Sequence, residues 1–130
     1  AVAGPAVNVL LAIAAAALVH TLPLTSGGFR EWFGLSLQAA VWINLLLAVF
    51  NMLPVPPLDG GRVAVGLLPW RLAAPLARLE RAGIFIILGL IFIVPWIGDA
   101  VGLDLDVFWW LVGIPTETLE SAVYHLVGIR

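Results

Sequence analysis

Three stretches of the chain are long and apolar enough to cross a membrane as helices. They are Val2–Leu24, Leu35–Leu53 and the shorter Ala82–Ile97, which we expect to stop at Pro95-Trp96. A spanning helix needs roughly 20 apolar residues. The first two stretches contain few polar side chains, among them Asn8, His20, Thr21, Gln38, Asn44 and Asn51. The pattern therefore predicts an all-α, polytopic membrane protein with about three transmembrane helices.

A fourth stretch, Val107–Val127, is apolar only at its start. Pro115 suits the first turn of a helix, and the residues after it place Leu119, Val123 and Leu126 on one stripe. Two glutamates on the same segment weaken the case for a span. We therefore expect an interfacial helix here rather than a fourth transmembrane helix.

Composition agrees with a membrane protein and narrows its chemistry. Hydrophobic residues make up 62% of the 130 residues and charged residues only 11%, against about 25% charged in an average soluble domain. The net charge of −2 provides no basic surface for nucleic acid. Because the chain has no cysteine, any metal must be bound by His, Asp or Glu. No repeat or linker divides the chain, so we treat 1–130 as one membrane domain.

Arginine placement predicts the orientation. Four of the six arginines, Arg62, Arg71, Arg78 and Arg81, lie between the second and third spans. Lys and Arg are enriched in cytoplasmic loops, so we expect this connection to face the cytoplasm and Thr25–Gly34 to face outward. Arg71–Arg81 also has the pattern of a short amphipathic helix lying along the inner membrane interface.

The segment 51–62 interrupts the apolar pattern with three prolines, an acid and two glycines. Prolines disfavour helix in the residues before them, so we expect the second span to end near Leu53 and continue as extended chain. The Gly60-Gly61 pair permits a positive φ or a close backbone approach, which would let the loop turn back. Asp59 would then lie at the rim of, or inside, a cavity between helices.

A carboxylate at this depth requires an explanation. Ionised groups inside membrane segments are costly and usually mark ion, proton or substrate chemistry. A divalent cation stabilises the deprotonated form, and catalytic zinc commonly uses three protein ligands and one water. We therefore predict that Asp59 is a metal ligand, although Asp-Gly-Gly is also a common turn sequence.

The segment resembles the site-2 protease family of intramembrane zinc metallopeptidases. The family's N-x-x-P-x-x-x-L-D-G motif is matched by Asn51, Pro54, Leu58, Asp59 and Gly60. A second family motif, A-G-P-x-x-N at the start of a membrane helix, is matched by Gly4, Pro5 and Asn8. The chain looks like the compact bacterial and archaeal members, which implies a prokaryotic inner or plasma membrane.

The resemblance implies a zinc site and a reaction. In the family, the Asp of the later motif joins two histidines of an H-E-x-x-H helix, whose glutamate acts as general base on the bound water. The substrate would be a transmembrane protein or peptide, cleaved in or near its membrane segment among the surrounding lipids. Asn51 either braces the broken helix or lies in the substrate cleft.

The chain itself contains no H-E-x-x-H, and its two histidines, His20 and His125, are far apart. We expect the missing motif, and with it the catalytic residues, upstream in the same protein, so that this chain would be a fragment that is inactive alone. We expect His20 to be an interfacial or hydrogen-bonded residue, and Asn8 and Asn44 to bond between helices. Two alternatives remain: a non-catalytic relative that binds membrane helices, and a fragment of an ion-coupled transporter.

Overall fold

The computed structural model describes residues 2–129, and this part of the chain contains helices and no strand. Seven α-helices follow one another: α1 (Ala3–Leu18), α2 (Gly27–Asn51), α3 (Asp59–Leu67), α4 (Trp70–Arg78), α5 (Glu80–Leu88), α6 (Val94–Val101) and α7 (Ile114–Leu126). Tighter or wider helical turns extend three of them, at Val19–Leu24, Gly89–Ile93 and Trp109–Gly113. The predicted all-α class is confirmed.

Three continuous helical stretches have the length and apolarity of membrane spans. They are Ala3–Leu24, Gly27–Asn51 and Glu80–Val101, with 22, 25 and 22 residues. At 1.5 Å per residue, each is about 33 Å or longer, which matches a hydrocarbon core of about 30 Å. The predicted number of spans is therefore confirmed.

The protein core lies between α1, α2 and the C-terminal helix. Ala12 and Ala16 on α1 are completely buried, as are Val41 and Leu45 on α2. Val123 of α7 packs into the same cluster. Because alanine keeps side-chain volume small, α1 and α2 approach closely, and packing of this kind holds membrane helices together. The alanines of α1 thus lie in the centre of the core.

The second span begins earlier than the sequence pattern predicts. α2 starts at Gly27, eight residues before Leu35, because Gly27 adopts a positive φ of 62° directly after the extended Ser26. The Arg30 side chain donates hydrogen bonds back to the carbonyls of Leu22, Pro23 and Thr25 and so closes the turn. The predicted outer connection is therefore much shorter than Thr25–Gly34.

The third span continues through Pro95, where we expected it to stop. In a regular α-helix the proline ring would collide with the carbonyl four residues earlier. Here the preceding turn, Gly89–Ile93, is π-helical, and the Val94 N–H bonds to the Gly89 carbonyl five residues back. The wider turn removes the clash, so α5 and α6 form one span from Glu80 to Val101.

The same arrangement recurs at Pro115 in the helix that covers 107–126. The π-helical turn Trp109–Gly113 precedes this proline, and the Ile114 N–H bonds to the Trp109 carbonyl. In the described residues this helix is not one of the three that are long and apolar enough to span a membrane, which agrees with the prediction made from its two glutamates. The structure adds that the helix packs lengthwise against α1 and α2, with Val112 and Thr116 buried.

The C-terminal helix runs antiparallel to α2. Near its start, the Phe108 ring lies 6.3 Å from the Phe50 ring. At its end, the Val127 carbonyl lies 2.6 Å from His20 Nε2. These two contacts fix the helix at both ends, beside the spans. The proline-rich break that follows α2 therefore lies near residue 108, and His20 lies at the opposite end of the bundle.

Candidate metal and substrate site

The break between α2 and α3 is a series of tight turns. The Leu53 N–H bonds to the Phe50 carbonyl at 3.1 Å, Val55 to Leu53 at 2.7 Å, and Leu58 to Val55 at 2.9 Å. The prediction of an extended chain after Leu53 is therefore wrong. Backbone groups removed from water need partners, and successive turns supply those partners locally where the prolines prevent a helix.

Asp59 is the first residue of α3, immediately after the turns. A carboxylate at this position interacts favourably with the N-terminal end of the helix dipole. The residue is half-buried, so its oxygens lie at the edge of the protein interior. The structure therefore agrees with a position at a rim, although we expected Asp59 in a loop rather than in a helix.

Gly60 and Gly61 bring the first turn of α3 against the break. Both are buried and neither has a positive φ, so the glycine pair does not make the turn itself. A Cβ at Gly60 would lie less than 3.0 Å from the Met52 carbonyl oxygen, and one at Gly61 equally close to the Pro56 nitrogen. A positive φ or a close backbone approach was predicted for these glycines, and the structure shows the close backbone approach.

A third glycine, Gly83 on α5, closes the break from the other side. A Cβ at this position would collide with the Pro56 carbonyl oxygen and would lie 3.0 Å from Pro57 Cδ. Sequence reasoning missed Gly83 because a glycine in an apolar span carries no chemical signature. The one available signal was its small size near the start of the third span, where helices pack closely.

The carboxylate of Asp59 lies against the start of α1. A Cβ built on Gly4 would be 3.2 Å from Asp59 Oδ2, which is a tight contact. Pro5, the next residue, is buried. The two motifs singled out in the sequence, about 55 residues apart, therefore meet at one place in the fold. Because Gly4 has no side chain, the Asp59 carboxylate can lie this close to α1.

The histidines of the chain lie away from Asp59. His20 is 16 residues after Gly4 along the first span, which corresponds to roughly 24 Å at the α-helical rise. His125 is on the exposed end of α7, near the residue that His20 contacts. As predicted, His20 is hydrogen-bonded. Within residues 2–129 no group of three or more metal-binding side chains is present.

Asp59 therefore fits zinc as one ligand only. A catalytic zinc site needs about three protein ligands. The donors found in residues 2–129 do not complete such a site.

The remaining motif residues surround the break. Asn51 ends α2 and is half-buried, as are Leu58 and Asn8, whereas Pro54 is exposed at the turn. Asn44 differs from its prediction, because its Nδ2 donates to the Ala40 carbonyl of its own helix at 2.8 Å instead of to a neighbouring helix. A polar side chain within a span is satisfied in this way without any partner helix.

Two apolar cavities flank the break. A groove of about 430 Å³ lies between the start of α1 and the end of α2, with Pro5, Met52 and Leu53 in its wall. A partly open apolar cavity of about 190 Å³ lies on the other side, between Pro54 and the π-helical regions of the two later helices. A larger cleft of about 710 Å³ is at the far end of the bundle, near Tyr124 and Ile129. The two cavities that Leu53 lines are thus apolar.

These features define a class of protein: a helical membrane protein in which a broken span presents one carboxylate beside the start of a neighbouring span. Comparison with known proteins identifies the family. Residues 26–95 match the model of Peptidase family M50, and the chain belongs to this family. The resemblance predicted from the two motifs is confirmed.

Two curated relatives agree with this assignment. The chain is 34% identical over 102 residues to "Putative zinc metalloprotease YwhC" of Bacillus subtilis (strain 168), covering 72% of this chain and 44% of the relative. It is 44% identical over 63 residues to "Putative zinc metalloprotease MJ0611" of Methanocaldococcus jannaschii, covering 48% of this chain and 30% of the relative. The matches thus cover less than half the length of either relative. No solved structure gives a significant match.

Proposed function

We propose that this chain forms the C-terminal membrane part of an intramembrane zinc metalloendopeptidase, with Asp59 as the third protein ligand of the zinc. The observation that carries the proposal is the contact between Asp59 Oδ2 and Gly4, which brings both motifs to one place beside a broken span. Membership of Peptidase family M50 and the names of the two relatives support zinc as the metal.

The other ligands would be two imidazoles of an H-E-x-x-H helix upstream in the same protein. The matched relatives contain more than twice the length that aligns here, which leaves room for such a helix. The distance of His20 and His125 from Asp59 also favours an outside source. The bound zinc would supply an activated water, and the role of this chain would be to hold one carboxylate in place. Alone, the chain would be inactive.

The substrate would be the membrane segment of a protein or peptide. The apolar walls of the groove beside Met52 and Leu53 support an apolar substrate. In this proposal the cleft is shaped by Asn51, Pro54, Leu58 and Gly60. The chain between these residues forms turns, so irregular backbone lies beside the cleft. Neighbouring lipids would complete the surroundings of the substrate.

The arginine-rich connection after Asp59 supports an orientation with the break toward the cytoplasm. The prokaryotic source of both relatives supports location in the plasma membrane, or the inner membrane where there are two.

Zinc content of the complete protein tests the assignment of Asp59. We expect the purified full-length protein to contain about one zinc per chain. The Asp59→Ala variant should lose most of this metal, and with it the cleavage of a model transmembrane substrate. Asp104→Ala is the matched control, since Asp104 is exposed in the loop after α6 and should retain zinc.

The results also separate the alternatives. Metal retained in full by Asp59→Ala would refute the ligand role. An intact wild-type protein without metal would instead favour a non-catalytic relative that binds membrane helices. Ion-dependent stability without any peptidase activity would favour a transporter.

A further inference from the structure

The hairpin of α3 and α4 exposes large apolar side chains outside the bundle. Trp70 is 82% exposed and Leu67 is 81% exposed, whereas Ala73, about one turn after Trp70 on α4, is buried. Single exposed apolar residues are ordinary on a protein surface. Here, however, a tryptophan and a leucine lie close together, and Arg71 directly follows the tryptophan.

Two arginines occupy the same face of α4. Arg71 and Arg78 are seven residues apart, which is about two helical turns, so their side chains lie above one another. Ala74 lies one turn from Trp70 and one turn from Arg78 on the adjoining stripe. Both arginines are exposed. The outer face of α4 thus combines two guanidinium groups with an indole ring.

The charges of the chain are strongly separated. Residues 59–81 contain four arginines and two acids, while the rest of the sequence contains two arginines and six acids. In the described part of the chain, the one salt bridge joins Arg62 to Glu80 at 3.8 Å. Arg71 and Arg78 take no part in it and can bind other partners. α4 ends two residues before Glu80, the first residue of the third span. The basic face therefore lies at the end of a membrane span.

We propose that α4 binds the headgroups of anionic phospholipids through Arg71 and Arg78, with Trp70 in the membrane interface. The planar guanidinium group pairs with phosphate through two hydrogen bonds. Tryptophan is enriched at the level of the headgroups. Charge complementarity at the end of a span selects an anionic membrane surface over a neutral one. This binding is independent of the proposed peptidase activity.

The chain has no cysteine, so one introduced cysteine reports on α4 without background. The experiment uses the purified chain carrying Ala74→Cys with an environment-sensitive fluorophore. It is reconstituted in nanodiscs of phosphatidylcholine with an increasing fraction of phosphatidylglycerol. A lipid with a spin label near the headgroup quenches the fluorophore when α4 lies in the interface.

We expect quenching to increase with phosphatidylglycerol. In Arg71→Gln/Arg78→Gln the apparent affinity for this lipid should fall, by about fivefold for each arginine removed. The control is Arg62→Gln/Glu80→Gln, which removes a neighbouring ion pair without changing net charge and should behave like the wild type. The four charged side chains that are replaced are exposed, so the fold should be unaffected by their replacement.

Three outcomes would overturn the proposal. The first is quenching that does not depend on phosphatidylglycerol, which would mean that apolar contacts alone immerse α4. The second is a fluorophore that stays in water in every nanodisc, which would indicate that the basic face of α4 binds a soluble acidic partner instead of lipid. The third is an equal effect of the control variant, which would deny a special role to Arg71 and Arg78.

Discussion

Gly83→Ala tests whether close backbone approach holds the break in place. The added Cβ would lie well within 3.0 Å of the Pro56 carbonyl oxygen, a separation that real Cβ atoms essentially never show. The backbone of the break must therefore move, since no flexible side chain can yield instead. Overpacking of a close contact typically costs about 1–3 kcal/mol.

The expected loss is measurable as thermal stability in detergent. At roughly 3 °C for each kcal/mol in a chain of this size, the unfolding temperature should fall by about 3–9 °C. Displacement of the break also moves Asp59, three residues after Pro56. A misplacement of about 1 Å can cost on the order of a hundredfold in activity, so the full-length protein should lose most of its cleavage rate.

Gly89→Ala is the matched control on the same span. A Cβ at Gly89 has no neighbour within 4 Å, and alanine favours helix over glycine by about 1 kcal/mol. This variant should unfold at or above the wild-type temperature. If Gly83→Ala were as stable as Gly89→Ala, the argument that the break is fixed by backbone contact with α5 would be refuted.

Three further variants test other contacts. His20→Ala should lower the unfolding free energy by about 1 kcal/mol through loss of its bond to the C-terminal helix. The zinc content of the full-length protein should not change in this variant, and a loss of metal would contradict the structural role of His20. Thr116→Val should destabilise by about 1 kcal/mol in denaturant unfolding, because the buried hydroxyl bonds to the carbonyl four residues earlier. The exposed equivalent, Thr118→Val, should have a smaller effect, and equal effects would count against burial as the cause. Gly60→Ala should lower zinc affinity of the full-length protein, whereas Gly66→Ala, in open space, should not; the same affinity in both would deny that the glycine positions Asp59.

The sequence predicted the components of the site better than their local geometry. Asp59, Gly4 and Pro5 were identified from two short motifs, and the structure brings them together. The break after α2 was expected because prolines cannot continue a helix. Its turns were not expected, since the choice between extended chain and turns depends on how backbone groups find partners within the fold.

The error at Pro95 has a local cause. A proline marks a helix end only when the preceding turn is a regular α-turn, and the π-helical turn Gly89–Ile93 was invisible in the sequence. The packing of the helix over 107–126 against α1 and α2 could not be read from the sequence, because mean hydropathy along a segment does not record which of its faces is covered.

Sequence alone determined that this chain is a helical membrane protein with a broken second span and a carboxylate at the break. These properties follow from the order of apolar residues, prolines and charges, because each acts on its own local backbone or on its transfer from water. Only the tertiary structure decided that Asp59 lies against Gly4, that Gly83 closes the break and that both histidines lie far away. Those facts depend on which helices pack together, since spatial neighbours distant in the chain leave no local pattern.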